Sequence, residues 1–259
     1  MVYSRSVLPD LSGRTALVTG AGRRTGRAIA FKLAAAGARV AINALGSIGS
    51  AREAAQEIER AHGSGQAIAV QADVTDPAGV RALVEETVQT LGGLDILINN
   101  ASIRHHAALE ATALEDWRRI LGVTLDGSFL CAQAAAPHLR KSGSGTVINI
   151  GGVVAHTGAR GAAAIMTAKA GLEGLTRALA FELGPEVTVN CVLPATMHAP
   201  DDPPERLNAL QNFYQHERIP LARPGTVDEV ASAIVSLCGP AWRYMTGQLI
   251  HINGGVYFG

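Results

Sequence analysis

The chain has 259 residues, 47% of them hydrophobic, which is length enough to bury a sizeable core in one large α/β domain over 1–259. Its 22 basic and 22 acidic residues cancel, so no net field draws nucleic acid or an anionic membrane, and neither is an expected partner. MVYSRSVLPD at the start has no apolar core of signal-peptide length, no uninterrupted apolar run is long enough to span a bilayer, and Cys131, Cys191 and Cys238 are odd in number and lack CxxC spacing, so a cytoplasmic protein with buried thiols and no metal site is expected.

Short β-rich runs alternate with longer segments of helical period, the pattern of βαβ units around a parallel sheet. TALVT (15–19) leads into a helix over 24–36, RVAIN (39–43) into one over 50–62, and AIAVQ (67–71) into one over 77–91. DILIN (95–99) precedes a long helix over 112–139, TVINI (146–150) another over 162–183, VTVNCVL (187–193) one over 226–238, and QLIHIN (248–253) closes the series. Most of these seven strands are nearly continuous in apolar residues, so helices should cover both faces of the sheet, giving a doubly wound α/β fold. A polar, Pro-rich stretch, APDDPPERLNALQNFYQHERIP (199–220), interrupts the rhythm and reads as a lid over a substrate cleft.

The first strand runs into TGAGRRTG (19–26). Gly20 and Gly22 allow a tight turn that approaches a phosphate, and Gly26 lets the helix start pack on the strand and offer its free N–H groups and dipole to a pyrophosphate. At the end of the second strand, NALGS (43–47) has no acid to grip a ribose 2′-hydroxyl, while Arg23, Arg24 and Ser47 supply two cations and a hydroxyl for a 2′-phosphate. NADP(H) is therefore favoured over NAD(H).

With TGAGRRTG, ADVTD (72–76), NNAS (99–102), AKAG (168–171), VNCVLPA (189–195) and YMTGQLIHINGG (244–255) in this order, the chain resembles the short-chain dehydrogenase/reductase family along essentially its whole length. Arg24 in place of a middle glycine, NNAS, and KAGLEGLTRALAFELGP resemble most the pteridine-reductase-type, NADPH-dependent branch. The resemblance implies a single seven-stranded Rossmann domain of strand order 3-2-1-4-5-6-7, a 195–220 lid, a small-molecule substrate, and a homodimer or homotetramer built on the two long helices. It implies cofactor contacts from Gly20, Arg23, Arg24, Gly26, Asn43 and Ser47, from Asp73 and Val74 beside the adenine, and from Asn100, Ala101, Ser102, Lys169 and Pro194.

Family members use a tyrosine as acid/base, a lysine four residues later, a serine and an asparagine. Lys169 matches the lysine, but the tyrosine position holds Ile165, the serine position Gly152 and the asparagine position Thr124. One positioned proton donor is worth about 10²–10⁴ in rate, so tyrosine-based catalysis is not expected. Thr167 lies on the wrong helical face, and His105, His106, His198, Tyr214 and His216 are loop or lid residues, which leaves His156 as the preferred replacement donor. Two readings stay open: an atypical NADP(H)-dependent oxidoreductase, or a non-redox descendant that senses a nucleotide or uses the cleft for isomerisation, elimination or cyclisation.

Overall fold

The computed structural model describes residues 8–216 and 219–259, the side chains of 213–216 excepted. Seven parallel strands form the main sheet: β1 (Thr15–Val18), β2 (Arg39–Ala44), β3 (Ala67–Gln71), β4 (Ile96–Asn99), β5 (Gly145–Ile150), β6 (Val187–Pro194) and, last in the chain, β9 (Leu249–Ile252). Their order is β3-β2-β1-β4-β5-β6-β9, so the expected order holds, with β9 as the seventh strand. The order reverses between β1 and β4, and the gap at their carboxyl ends is where such sheets bind ligands.

Alternating side chains send each strand into two cores. Ala16 and Val18 of β1 join Ile29, Leu33, Ile42 and Ile98 on one face, together with Val230 and Ile234. Leu17 joins Leu83, Leu97, Cys131, Val147 and Leu183 on the other. The first face is covered by α1 (Arg24–Ala35), α2 (Ile48–His62) and α9 (Val227–Leu237), the second by α3 (Pro77–Leu91) and the long helices. Asp76 starts α3 by accepting from Ala78 N and Gly79 N, and Thr226 with Glu229 forms a reciprocal capping box at α9.

The long helix expected over 112–139 is two helices, α4 (Leu114–Leu121) and α5 (Gly127–Lys141), joined without a break by a π turn at Gly122–Asp126. Against the sequence reading, Leu114–Lys141 is long and apolar enough to cross a membrane by length and composition. Its α5 half is instead a core helix, with Cys131, Ala132, Ala135 and Leu139 buried under the sheet.

After β5 comes a single turn, α6 (Val154–Thr157), then α7 (Ala163–Leu183). The polar stretch after β6 is ordered by β7 (Met197–His198), which pairs with β8 (Gly225–Thr226), and by α8 (Pro204–His216), a helix that the sequence pattern did not announce.

Candidate active site

The glycine turn is tightly seated. Gly20 has φ +59, and a Cβ there would stand 2.8 Å from Ala101 Cα. A Cβ on Gly26 would meet Asn100 Nδ2 at 2.6 Å and Ala21 Cα at 2.7 Å. One on Gly22 would meet Ser47 Oγ at 2.4 Å, so the Ser47 hydroxyl lies against the turn. Asn100 braces the turn from β4, donating through Nδ2 to Thr19 O at 2.8 Å and Gly20 O at 3.0 Å, while Asn100 N and Ala101 N both reach Thr19 Oγ1. The α1 N-terminus has no side-chain cap and no acid in its first turn. Its unpaired N–H groups and dipole fit a pyrophosphate.

Four expected cofactor contacts are engaged within the protein. Arg24, at φ +51, is engaged by the segment after β6: its guanidinium pairs with Asp202 and donates to Met197 O at 3.1 Å. Asn43 is 1% exposed and fully occupied, accepting from Gly20 N and donating to Val70 O and Ala72 O, so it ties the turn to the sheet instead of facing a ribose. Val74 is buried against Gly127. Asp73 Oδ1 accepts from Thr75 N and Thr75 Oγ1, both at 2.8 Å, and so shapes its own loop. Arg23 is exposed, and Ser47 lies against the turn at Gly22. Pro194 closes β6, its carbonyl accepting from Val153 N at 3.1 Å.

A buried polar chain sets the register of α7 against the sheet. Asn99 Nδ2 donates to Asn149 Oδ1, Asn149 Nδ2 to Thr176 Oγ1, and Thr176 Oγ1 to Leu172 O. Breaking such a chain would strand a buried amide, so it is held. Lys169, two turns before Thr176, is thereby placed under the end of β5, where its Nζ donates to Ile150 O. Burial, then the field of Arg104, lowers its pKa to about 8.

Around Lys169 stand the three substituted positions Gly152, Ile165 and Thr124. Gly152 is open: a Cβ there would be 3.7 Å from Val154 Cγ2 and 3.9 Å from Lys169 Cγ. Ile165, 4% exposed, closes an apolar cluster with Ile120, Ala162, Ala164 and Ala168, against which Ile103, Trp117, Leu121 and Met166 pack. Position 165 is therefore filled with hydrocarbon, not an enlarged void. Thr124, wholly buried in the π turn, shares a hydrogen bond of 3.2 Å with Ser102 Oγ.

His156, the expected replacement donor, is engaged by other groups in this structure. Its Nε2 lies 2.8 Å from Glu173 Oε1, and its ring stacks on Tyr257 and abuts His251. Glu173 is eight residues from Ile165, about 12 Å along the helix. His156, His251 and Tyr257 line an open cavity of about 750 Å³ with Arg177 and Asn253, and Glu173 stands one turn beyond Lys169 on α7. Thr167 and His106 are exposed, His105 leans on Asp116 at 3.7 Å, and His198 on Asp202 at 3.5 Å; the side chains of Tyr214 and His216 lie outside the described residues.

Two residues that sequence reasoning passed over stand at the cleft. Asp202, its side chain 4% exposed, is shared by Arg24, by Arg206 Nε at 3.3 Å and by Ala199 N at 2.8 Å. Burial alone would raise its pKa, but Arg24, Ala199 N and the field of Arg206 bring it down to about 2. Arg104, just after NNAS, carries no hydrogen bond or ion pair among the described residues. An acid in the Pro-rich stretch was the available signal for Asp202; nothing in the pattern marked Arg104.

The reversal point, the braced glycine turn and the uncapped helix together define a dinucleotide-binding protein of the doubly wound class. A family model described as Enoyl-(Acyl carrier protein) reductase matches residues 20–257. The 3-oxoacyl-[acyl-carrier-protein] reductase FabG of Staphylococcus aureus strain Mu50 is 38% identical over 248 residues, 94% of this chain and 98% of that protein. A 3-oxoacyl-[acyl-carrier-protein] reductase of Synechocystis is 41% identical over 248 residues, 95% and 98% of the two chains. The crystal structure of a dehydrogenase/reductase from Sinorhizobium meliloti 1021 superposes with a TM-score of 0.86 at 36% identity, covering 95% of this chain and 96% of that one. The chain belongs to the short-chain dehydrogenase/reductase family.

Proposed function

We propose that this protein is an NADP(H)-binding oxidoreductase that retains Lys169 beside the reacting centre. The observation that carries the reading is an asymmetry within one cleft. The glycine turn, Asn100 and the α1 N-terminus are built for a pyrophosphate, whereas positions 124, 152 and 165 offer no phenol or serine. Arg23 and Ser47 would hold the 2′-phosphate, the loop carrying Asp73 would flank the adenine, and Ser102, Lys169 and Pro194 would line the nicotinamide half.

When bound, a reduced nicotinamide supplies a hydride to an unsaturated substrate carbon and is left oxidised. The proton for the neighbouring atom comes from the Lys169 ammonium or from water. Because Ile165 and Trp117 make the adjoining wall apolar, the substrates favoured are those that need little acid help: an imine, or an alkene conjugated to a carbonyl. The relatives named for 3-oxoacyl reduction act on a carbonyl, and the matching family model is named for enoyl reduction; the second chemistry fits this cleft better. The resemblance to the pteridine-reductase-type branch adds pterins to the panel.

Stopped-flow NADPH oxidation across carbonyl, pterin, imine and enoyl thioester substrates tests the reading; no turnover above background on any of them would defeat it. A non-redox role in the same cleft is the second reading, favoured by the hydrocarbon filling of position 165. NADPH binding without hydride transfer would select it. Phe129 of α5 and Phe181 of α7, 44% and 91% exposed, support a homodimer or homotetramer formed through the long helices.

A further inference from the structure

Two imidazoles hold the segment over 253–259. Tyr257 stacks on His156 with ring centroids 4.7 Å apart and lies 5.2 Å from His251, while the two histidines meet edge to face at 5.2 Å. Asn253 Nδ2 donates to Tyr257 O at 2.9 Å and closes the turn that carries the ring. The three rings come from α6, β9 and the segment after β9, so only the folded chain assembles them.

The charged groups of this cluster come from four elements. α6 brings His156, β9 brings His251, and α7 brings Glu173 and the exposed Arg177. Cys191 of β6 also feels the field of Glu173, but burial pushes its thiol up to about 11 and it stays neutral. Glu173 Oε1, itself buried, lies 2.8 Å from His156 Nε2, so the one carboxylate side chain of the cluster already faces one imidazole.

The second imidazole has no place for a charge. His251 Nδ1 is buried with no hydrogen-bond partner among the described residues, and a Cβ on Gly259 would stand 3.0 Å from its Nε2. A neutral ring carries one N–H, whereas a protonated ring carries one on each nitrogen and would bury the Nδ1 hydrogen without an acceptor. Burial, then the field of His156, accordingly lowers the His251 pKa, against an opposing pull from Glu173. A free His251 takes its proton near about 6.5 and the packed one only at lower pH, so the packed arrangement is complete above about 6.5 and weakens as pH falls through the lowered value.

We propose that His156, His251 and Tyr257 form an acid-released clasp, which pins the 253–259 segment to α6 near neutral pH and lets Tyr257 go when His251 is protonated. The clasp borders the coenzyme cleft, since α6 starts two residues after Gly152 and Glu173 lies one turn after Lys169. It does not depend on the coenzyme being bound.

The test labels the full chain with fluorotyrosine and follows its fluorine NMR spectrum from about pH 7.5 to about pH 5. Tyr257→Phe identifies the Tyr257 signal, and fully exposed Tyr244 gives the position of a free ring. In wild type the Tyr257 signal should move towards that position with a midpoint between about 5 and about 6.5. His251→Phe keeps a ring and cannot take a proton, so its Tyr257 signal should stay packed throughout; if H251F does not fold, His251→Gln stands in under the same criteria. A wild-type signal that does not move, a midpoint outside that window, an unchanged midpoint in the folded variant, or a ring already free there at neutral pH each overturns the proposal.

Discussion

Asp202, in the Pro-rich stretch after β6, grips Arg24 of the glycine turn. This pair joins the segment expected to choose the substrate to the loop expected to hold the cofactor, through a carboxylate almost closed to solvent. Arg24 holds it from a left-handed backbone, φ +51, a conformation that costs a side-chain-bearing residue of order 1 kcal/mol or more. Asp202→Asn should weaken the grip and speed hydrogen exchange of the 199–206 amides by about tenfold or more, leaving the sheet unchanged. The carboxyl titrates near 2 when folded and near about 3.9 unfolded, so its contribution is complete above pH ~4 and is lost as pH falls towards 2. Lid exchange that is indifferent to the substitution would show that α8 is held by something else.

Gly152→Ser combined with Ile165→Tyr returns the two missing hydroxyls. A serine fits at 152, where its nearest neighbours would be at 3.7 Å and 3.9 Å. The tyrosine must displace packing against Ile120 and Ala162, at a cost of about 1–3 kcal/mol. Carbonyl-dependent NADPH oxidation should rise by about 10²–10⁴, with a lower melting temperature. A folded double variant that binds NADPH and gains no carbonyl activity would place the defect outside the proton relay.

Lys169 sets the alkaline limb of any proton-coupled turnover. With its pKa lowered to about 8 by burial, activity that needs the ammonium should decline above pH ~8, roughly tenfold per unit. Stability moves the other way. Below pH ~8 the folded chain carries a desolvated charge that the unfolded chain exposes to water, and that penalty is relieved as pH rises from about 8 towards about 10.4. Denaturation of wild type against Lys169→Met should therefore show wild type gaining on the variant across that window.

Arg23→Ala tests the coenzyme preference apart from the lid. Loss of one guanidinium facing a 2′-phosphate should raise the NADPH dissociation constant by about tenfold, near 1.4 kcal/mol, and leave NADH nearly untouched. Equal loss for both coenzymes would move Arg23 to the pyrophosphate.

The seven strands were readable because most are short, nearly uninterrupted apolar runs between helical periods, and burial of the central ones on both faces writes that pattern into composition. α8 was hidden because PPERLNALQNFYQH carries few apolar residues: a lid helix rests on the body by one edge and has little surface to bury. At the site, Lys169, Ile165, Gly152 and Thr124 could be located by counting along motifs. What counting could not supply was direction. Arg24 looked like a phosphate ligand until Asp202, 178 residues away, claimed it. His156 looked like a donor until the chain terminus and Glu173 enclosed it. Both outcomes depend on long-range partners that periodicity does not encode.

The π turn at Gly122–Asp126 makes one rod serve two masters. Before it, Ile120 and Trp117 face the cleft; after it, Cys131, Ala135 and Leu139 face the main core. A deletion of one residue there would restore ordinary winding and rotate everything downstream by about 100° relative to what lies upstream. Either the cleft wall or the core would then lose its apolar stripe, so the irregularity acts as a phase lock, and the two halves of this segment are free to vary in sequence only so long as that extra residue stays.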